Sequence, residues 1–186
     1  AITPGFLAPI LPMLALWMVA PALAFWVSLP TKRRRAALSA QDREYLRVQT
    51  RKIWQYFKDI IGPEDHWLPP DHIQEEPHFK IAHRTSPTNI GLGLIANLAA
   101  WDFGYIGVRE MLDRLEASFA SMLRLKRWHG HLYNWYDTET LKPLEPRFVS
   151  TVDSGNLAGY LITLVQGLNQ VAEGPLLDFA KIGRGL

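Results

Sequence analysis

From Phe6 to Leu29 the chain runs 24 residues without a charge, and Lys32, Arg33, Arg34 and Arg35 follow almost at once. A helix of that length reaches about 36 Å, enough to cross a hydrocarbon core with some tilt. Pro9, Pro12 and Pro21 would be costly in a soluble helix, but membrane helices tolerate such residues where neighbours satisfy the freed carbonyls. Trp17 falls mid-span and Trp26 near the cationic end, where an interfacial indole is favourable. A secretory signal would carry its charge before the apolar run, the reverse of this order. A buried soluble helix is the remaining alternative. The pattern predicts a membrane helix with the basic cluster and everything after it in the cytoplasm. A chain that enters apolar sequence at once, without an initial Met, is expected to be a piece of a larger membrane protein.

The basic cluster also explains the overall charge. The chain has 20 basic and 18 acidic residues; without the tetrapeptide at 32–35 the remainder holds 20 − 4 = 16 basic against 18 acidic, a net of −2. That balance argues against nucleic acid. The absence of Cys excludes disulfides, zinc–thiolate sites, iron–sulfur clusters and a cysteine nucleophile.

Residues 36–186 read as helices joined by long loops. Ser39 caps a first amphipathic helix whose stripe is Leu46, Ile53, Phe57 and Ile60, with Trp54 and Ile61 beside it. Gly62-Pro63 stops it. Residues 64–85 form a long connection rich in Pro and His. Ser86-Pro87 starts a second helix, apolar and small all round, so it is expected to be buried on every side, with Gly91 and Gly93 at close approaches. A third, half-exposed helix spans about Val108 to Lys126. The segments LYNWYDT and LEPRFVS could pair as a short hairpin around Glu139 to Pro143. A fourth helix begins near Asp153 as N-cap and again looks buried on all sides, until Gly174-Pro175 breaks it. The tail after Pro175 could start a fifth.

Outer and inner helices therefore alternate, and both inner ones open on a polar motif, HRTSPTN or STVDSGN. That order fits an α/α toroid, in which inner-helix N-termini converge on one end of a ring. Four helices cannot close one, so an incomplete domain is expected. The fold class is all-α: residues 1–31 a transmembrane segment, 32–38 a basic juxtamembrane linker, and 39–186 part of an (α/α)6 domain with a short hairpin insertion.

The loop WHGHLYNWYD at 128–137 holds two Trp, two Tyr and two His. Sugar rings present apolar C–H faces flanked by hydroxyls, which aromatic faces with nearby Asn and Asp match. Alternatively Tyr133 and Trp135 point inward as core, leaving Asn134 and Tyr136 exposed. Capping explains Ser86 and Asp153, but not Arg84 beside an apolar helix. The six His lack the H-x-x-x-H spacing of a helical metal site, so no metal is expected. Hydrolase-elbow, P-loop and Rossmann signatures are missing.

The runs HRTSPTNIGLGLIANLAAWDFGYIG and GHLYNWYDTETLKPLEPRFVSTVDSGNLAG, with GPEDHWLPPDHIQEEP upstream, resemble cyclic β-1,2-glucan synthases, very large glycosyltransferases of the bacterial inner membrane. The likeness covers roughly residues 6–172; residues 175–186 depart from it. It implies that residues 6–29 are the last membrane helix before a cytoplasmic glucoamylase-like (α/α)6 region that closes the glucan ring by transglycosylation. A processive transferase domain using UDP-glucose and a divalent metal would lie upstream, so no cofactor is expected in this fragment, which alone is expected to be inactive. A phosphorylase-like region would lie downstream. The partners are then a β-1,2-glucan chain, membrane lipid and the remaining domains of the same polypeptide. A retaining transglycosylase needs two carboxyl groups about 5 Å apart. Glu75 and Glu76 are adjacent and would diverge, so the main catalytic carboxylates are expected beyond residue 186. The candidate substrate-lining residues are Arg84, Asn89, Tyr133, Trp135, Asp137, Asp153 and Asn156. The alternatives are an (α/α)6 β-glucan hydrolase, or a membrane-anchored module that binds glucan without turnover.

Overall fold

A computed structural model describes residues 4–29 and 37–174. It divides into two units, Ala1–Ala40 and Gln41–Leu186. The first contains α1, Pro4–Ser28, an unbroken helix that keeps Pro12 and Pro21 in its interior. Its stretch Ile10–Ser28 has a mean hydropathy of 2.0 and none of it is buried, so it is long and apolar enough to cross a membrane. Residues 32–35 and the tail from 175 lie outside the described residues.

In the second unit, α2 spans Ala40–Ile60, α3 Pro87–Asp102, α4 Val108–Arg124 and α5 Thr151–Glu173. α3 is central and packs along both α5 and α4. Ser86 caps α3 by accepting the Asn89 N–H at 3.2 Å, and Pro87 takes the first helical position, where no N–H is needed. Every α3 residue except Leu92 and Asp102 is buried or half-buried. α4 ends at Arg124, earlier than its periodicity predicts, because Arg127 has already entered a strand. Trp54, Leu68, Ile90, Leu94, Met111, Leu115, Tyr136 and Leu164 anchor one core. Each such side chain stabilises the fold by about 1.5–3 kcal/mol through apolar burial.

Three expectations change here. On α2 the buried residue is Trp54, with Ile61 buried just past the helix end, while Leu46 and Ile53 stay exposed. Trp54 packs into the common core, with the Arg114 guanidinium over its ring. The cap of α5 is Ser150, not Asp153: the Ser150 hydroxyl accepts the Asp153 N–H at 3.1 Å, so the helix starts three residues sooner. Finally, α5 is not buried on all sides. Only Leu164 is fully buried, and Val152, Ile162 and Val165 are exposed, because among the described elements α3 alone packs extensively against it.

The two inner helices approach closely through their glycines. A Cβ on Gly91 would overlap the Tyr160 ring of α5 and sit 3.1 Å from that residue's Cβ. Gly93 is similarly closed by Pro69, so packing accounts for both α3 glycines. Gly91→Ala should therefore overpack the α3–α5 seam at a cost of about 1–3 kcal/mol. The check is amide exchange in the full-length polypeptide, where α3 should lose roughly 10- to 100-fold protection.

The connection at 64–85 is ordered. A 3-10 turn at Pro63–Asp65 leads into β1, Ile73–Gln74, which pairs antiparallel with β2, Lys80–Ile81; β3, Arg84–Thr85, follows. After α4, β4 (Arg127–Trp128) and β5 (His131–Leu132) form a tight hairpin not foreseen in the sequence. His129 and Gly130 turn it with φ of 47° and 87°, a turn for which glycine is well suited. β6 is Tyr136–Asp137. The expected pairing of its segment with the following one holds through a Tyr136–Pro143 bridge and the Asn134 N–H donated to the Phe148 carbonyl at 2.9 Å. Its full strand partner, however, is β3.

Candidate functional site

Pairing of β3 with β6 sets Arg84 opposite Asp137 and Thr85 opposite Tyr136. It joins the HRTSPTN motif to the aromatic loop. Next to the pair in sequence, His83 and Thr138 join a network centred on the buried Asp65. Asp65 accepts from the Thr138 hydroxyl and bonds His83 Nδ1 at 2.8 Å. His66 Nδ1 meets the Thr138 carbonyl at 2.8 Å. The bond to Asp65 raises the His83 pKa above its ordinary value, against the opposing effect of desolvation. Tyr136 is the pillar of the loop. It is fully buried, donates to the Lys126 carbonyl at 2.6 Å and accepts the Tyr133 N–H at 2.7 Å. Burial pushes its phenol pKa up.

This pillar settles the alternation within the loop. Asn134 and Tyr136 face the interior, and Tyr133 and Trp135 are only half-buried. The reading with Tyr133 and Trp135 as inward core and Asn134 and Tyr136 exposed is overturned. The cause is the polar tip of Tyr136, which finds two backbone partners inside.

Arg84 lies over Trp135, its guanidinium carbon 4.9 Å from the ring centroid. Its Nε and Nη2 donate to one oxygen of Asp71 at 3.1 and 2.9 Å. Asn89 donates to the other oxygen at 3.2 Å. His72 Nδ1 also meets Asp71, at 3.0 Å. Partial burial pushes the Asp71 carboxyl up, but the bonds from Arg84, His72 and Asn89 and the charge of Arg84 outweigh it and hold the group below its ordinary value.

A second cluster ties the inner helices. Thr88 donates its hydroxyl to Asp153 at 2.5 Å, and Asn156 donates to Thr88 at 3.1 Å. Thr88 and Asn89 are adjacent in the first turn of α3, so the two clusters adjoin. The seven candidates thus separate. Arg84, Asn89 and Trp135 share one cluster, and Asp153 and Asn156 the other. Asp137 uses Oδ1 to hold its own turn, accepting the Thr140 N–H and hydroxyl, each at 2.7 Å. Desolvation raises its pKa, but those bonds outweigh it and bring it below the ordinary value. Tyr133 packs edge-on against Tyr136 and against the core.

Sequence reasoning missed Asp71, Thr88, Asp65 and Thr138. Only the rigid Pro69-Pro70 before Asp71 hinted that its backbone is fixed. Among the described residues no group of three or more His, Asp or Glu side chains is placed to hold a metal ion.

No protein-family model matches the chain. Over 166 residues, 89% of its length, it is 43% identical to the cyclic β-(1,2)-glucan synthase NdvB of Rhizobium meliloti (strain 1021). The chain is a relative of that synthase. The resemblance carried by the HRTSPTN and aromatic-loop motifs is borne out. The chain spans 6% of the synthase's own length. Two solved structures share the fold. A glucoamylase-like protein from Bacteroides fragilis NCTC 9343 superposes with a TM-score of 0.59 at 22% identity, covering 83% of this chain and 36% of that one. The endo-β-1,2-glucanase from Chitinophaga pinensis gives a TM-score of 0.61 at 21% identity, covering 80% and 35%. The fold is that of a glucoamylase-like helical toroid, of which α2–α5 form a part.

Proposed function

We propose that this chain supplies the final membrane helix and the opening helices of the toroid that holds a β-1,2-glucan chain during ring closure by transglycosylation. The observation that carries the reading is the Arg84–Trp135 stack, bordered by Asp71 and Asn89, at the start of an inner helix. Beside it stands the Thr88–Asp153–Asn156 chain at the start of the next inner helix. An aromatic plane with amide, hydroxyl and carboxylate groups beside it suits a sugar ring with vicinal hydroxyls. The relationship to a cyclic glucan synthase supports β-1,2-glucan as the ligand. In this reading the linear chain is made from UDP-glucose, with a divalent metal, by a transferase domain elsewhere in the polypeptide. This region receives it, and the ring-closing carboxylates come from helices after α5.

Binding tests the reading directly. Full-length protein without UDP-glucose should bind a labelled linear β-1,2-glucan, and Trp135→Ala should weaken that binding by about 10-fold or more, the scale of one lost stacking contact. Equal binding by both proteins would reject the site.

In the same reading α1 spans the inner membrane with the toroid in the cytoplasm, since the uncharged run ends in Lys32–Arg35. A reporter fused after Arg35 should be active only in its cytoplasmic form. Periplasmic activity would overturn the orientation.

A further inference from the structure

Arg84 beside the start of α3 has the makings of an anion site, because a guanidinium and the positive end of a helix dipole both favour negative charge. The surrounding side chains remove that option. Two of its nitrogens are spent on Asp71 Oδ2, at 3.1 and 2.9 Å. Its guanidinium carbon sits over the Trp135 ring, 4.9 Å from the centroid. A second carboxylate, Asp137, occupies the strand position directly opposite. Asp71 does more than cancel a charge. Its other oxygen fixes the Asn89 amide at 3.2 Å, and its own N–H is held by the Ala82 carbonyl at 3.2 Å. One carboxylate therefore sets the orientation of a guanidinium and an amide, while nearly half of the Arg84 side chain stays open to solvent.

We propose that Asp71 is a positioning residue that neutralises Arg84 and holds it over Trp135, making this end of the toroid a receptor for an uncharged sugar rather than an anion. The inference rests on the glucan reading above and extends it by assigning selectivity to a residue outside the candidate set.

The test uses the full-length protein, with ring closure measured against added linear β-1,2-glucan and sulfate as the anionic probe. Asp71→Asn keeps the shape and removes the charge. It should raise KM for glucan about tenfold, with kcat much less affected, as expected when a charged hydrogen-bond partner is lost. Ring closure should also become sensitive to millimolar sulfate at low salt, with linear synthesis in the same preparation as the internal control. Adding Arg84→Gln to Asp71→Asn should abolish the sulfate sensitivity, and Asp71→Glu should restore insensitivity. Arg84→Lys keeps the charge but loses the planar fork, and should raise KM comparably. This variant also serves if Asp71→Asn does not accumulate. Wild-type KM and sulfate insensitivity in Asp71→Asn, or wild-type KM in Arg84→Lys, would overturn the proposal. If Trp135→Ala still loses glucan affinity in that case, the glucan reading stands without Asp71. If Trp135→Ala too keeps wild-type KM, the glucan reading itself has failed.

Discussion

Trp135→Ala and Asp153→Asn should each cut the yield of cyclic glucan by about tenfold or more in full-length protein, while linear glucan continues to accumulate. Trp135 carries the Arg84 stack, and truncating it removes both that contact and an aromatic face for sugar, each worth about 1 kcal/mol or more. Asp153 accepts the Thr88 hydroxyl and so links α3 to α5. Its amide substitute keeps the shape but weakens a charge-assisted bond to a neutral one. Both residues sit in the toroid, whereas polymerisation belongs to another domain in the proposed reading, so the two products should separate. The measurement resolves linear from cyclic glucan made by the purified variants. Wild-type ring yield from both would reject the site. Equal loss of every product would assign the two residues a folding role.

The second large effect concerns residues 36–186 expressed alone, which should self-associate and melt without a sharp transition. α5 leaves Val152 70%, Ile162 67% and Val165 54% exposed, although its sequence is that of an inner helix. α2 exposes Leu46 and Ile53 as well. Exposed apolar surface of that kind drives association. In a closed ring such faces would be covered by following helices, and the solved toroids that share the fold are matched over only 35–36% of their length. Light scattering, dye binding and calorimetry on the fragment check this. A monomer with a cooperative melt would contradict it.

What the sequence revealed and what it concealed follow from the range of the interactions concerned. Ser86-Pro87 is a local signal, satisfied within four residues, and α3 starts where it says. The same rule misplaced the start of α5 by three residues, because Ser150 and Asp153 are both good caps and nothing local decides between them. The inward turn of Tyr136 depends on the Lys126 carbonyl, which periodicity in the loop cannot reveal. Asp71 was invisible for a stronger reason. Its partners Arg84 and Asn89 lie 13 and 18 residues away, across an irregular connection. The inner-helix pattern was legible in α3, whose neighbours are present, and misleading in α5, where exposure follows from what else packs on the helix.

The β3–β6 pair has a consequence for the order in which the molecule is made. Arg84 and Asp137 are 137 − 84 = 53 residues apart, and α3 and α4 lie wholly between them. Thr88 and Asp153 are separated by 65 residues. Contacts of such separation form only after the intervening chain has lost its freedom, which makes them slow. During synthesis α1 emerges before the toroid helices and, in the proposed reading, can enter the membrane well before Asp137 or Asp153 has been translated. In the proposed reading the glucan-holding surface would then assemble on a chain already tethered to the bilayer, so anchoring would precede the capacity to hold glucan.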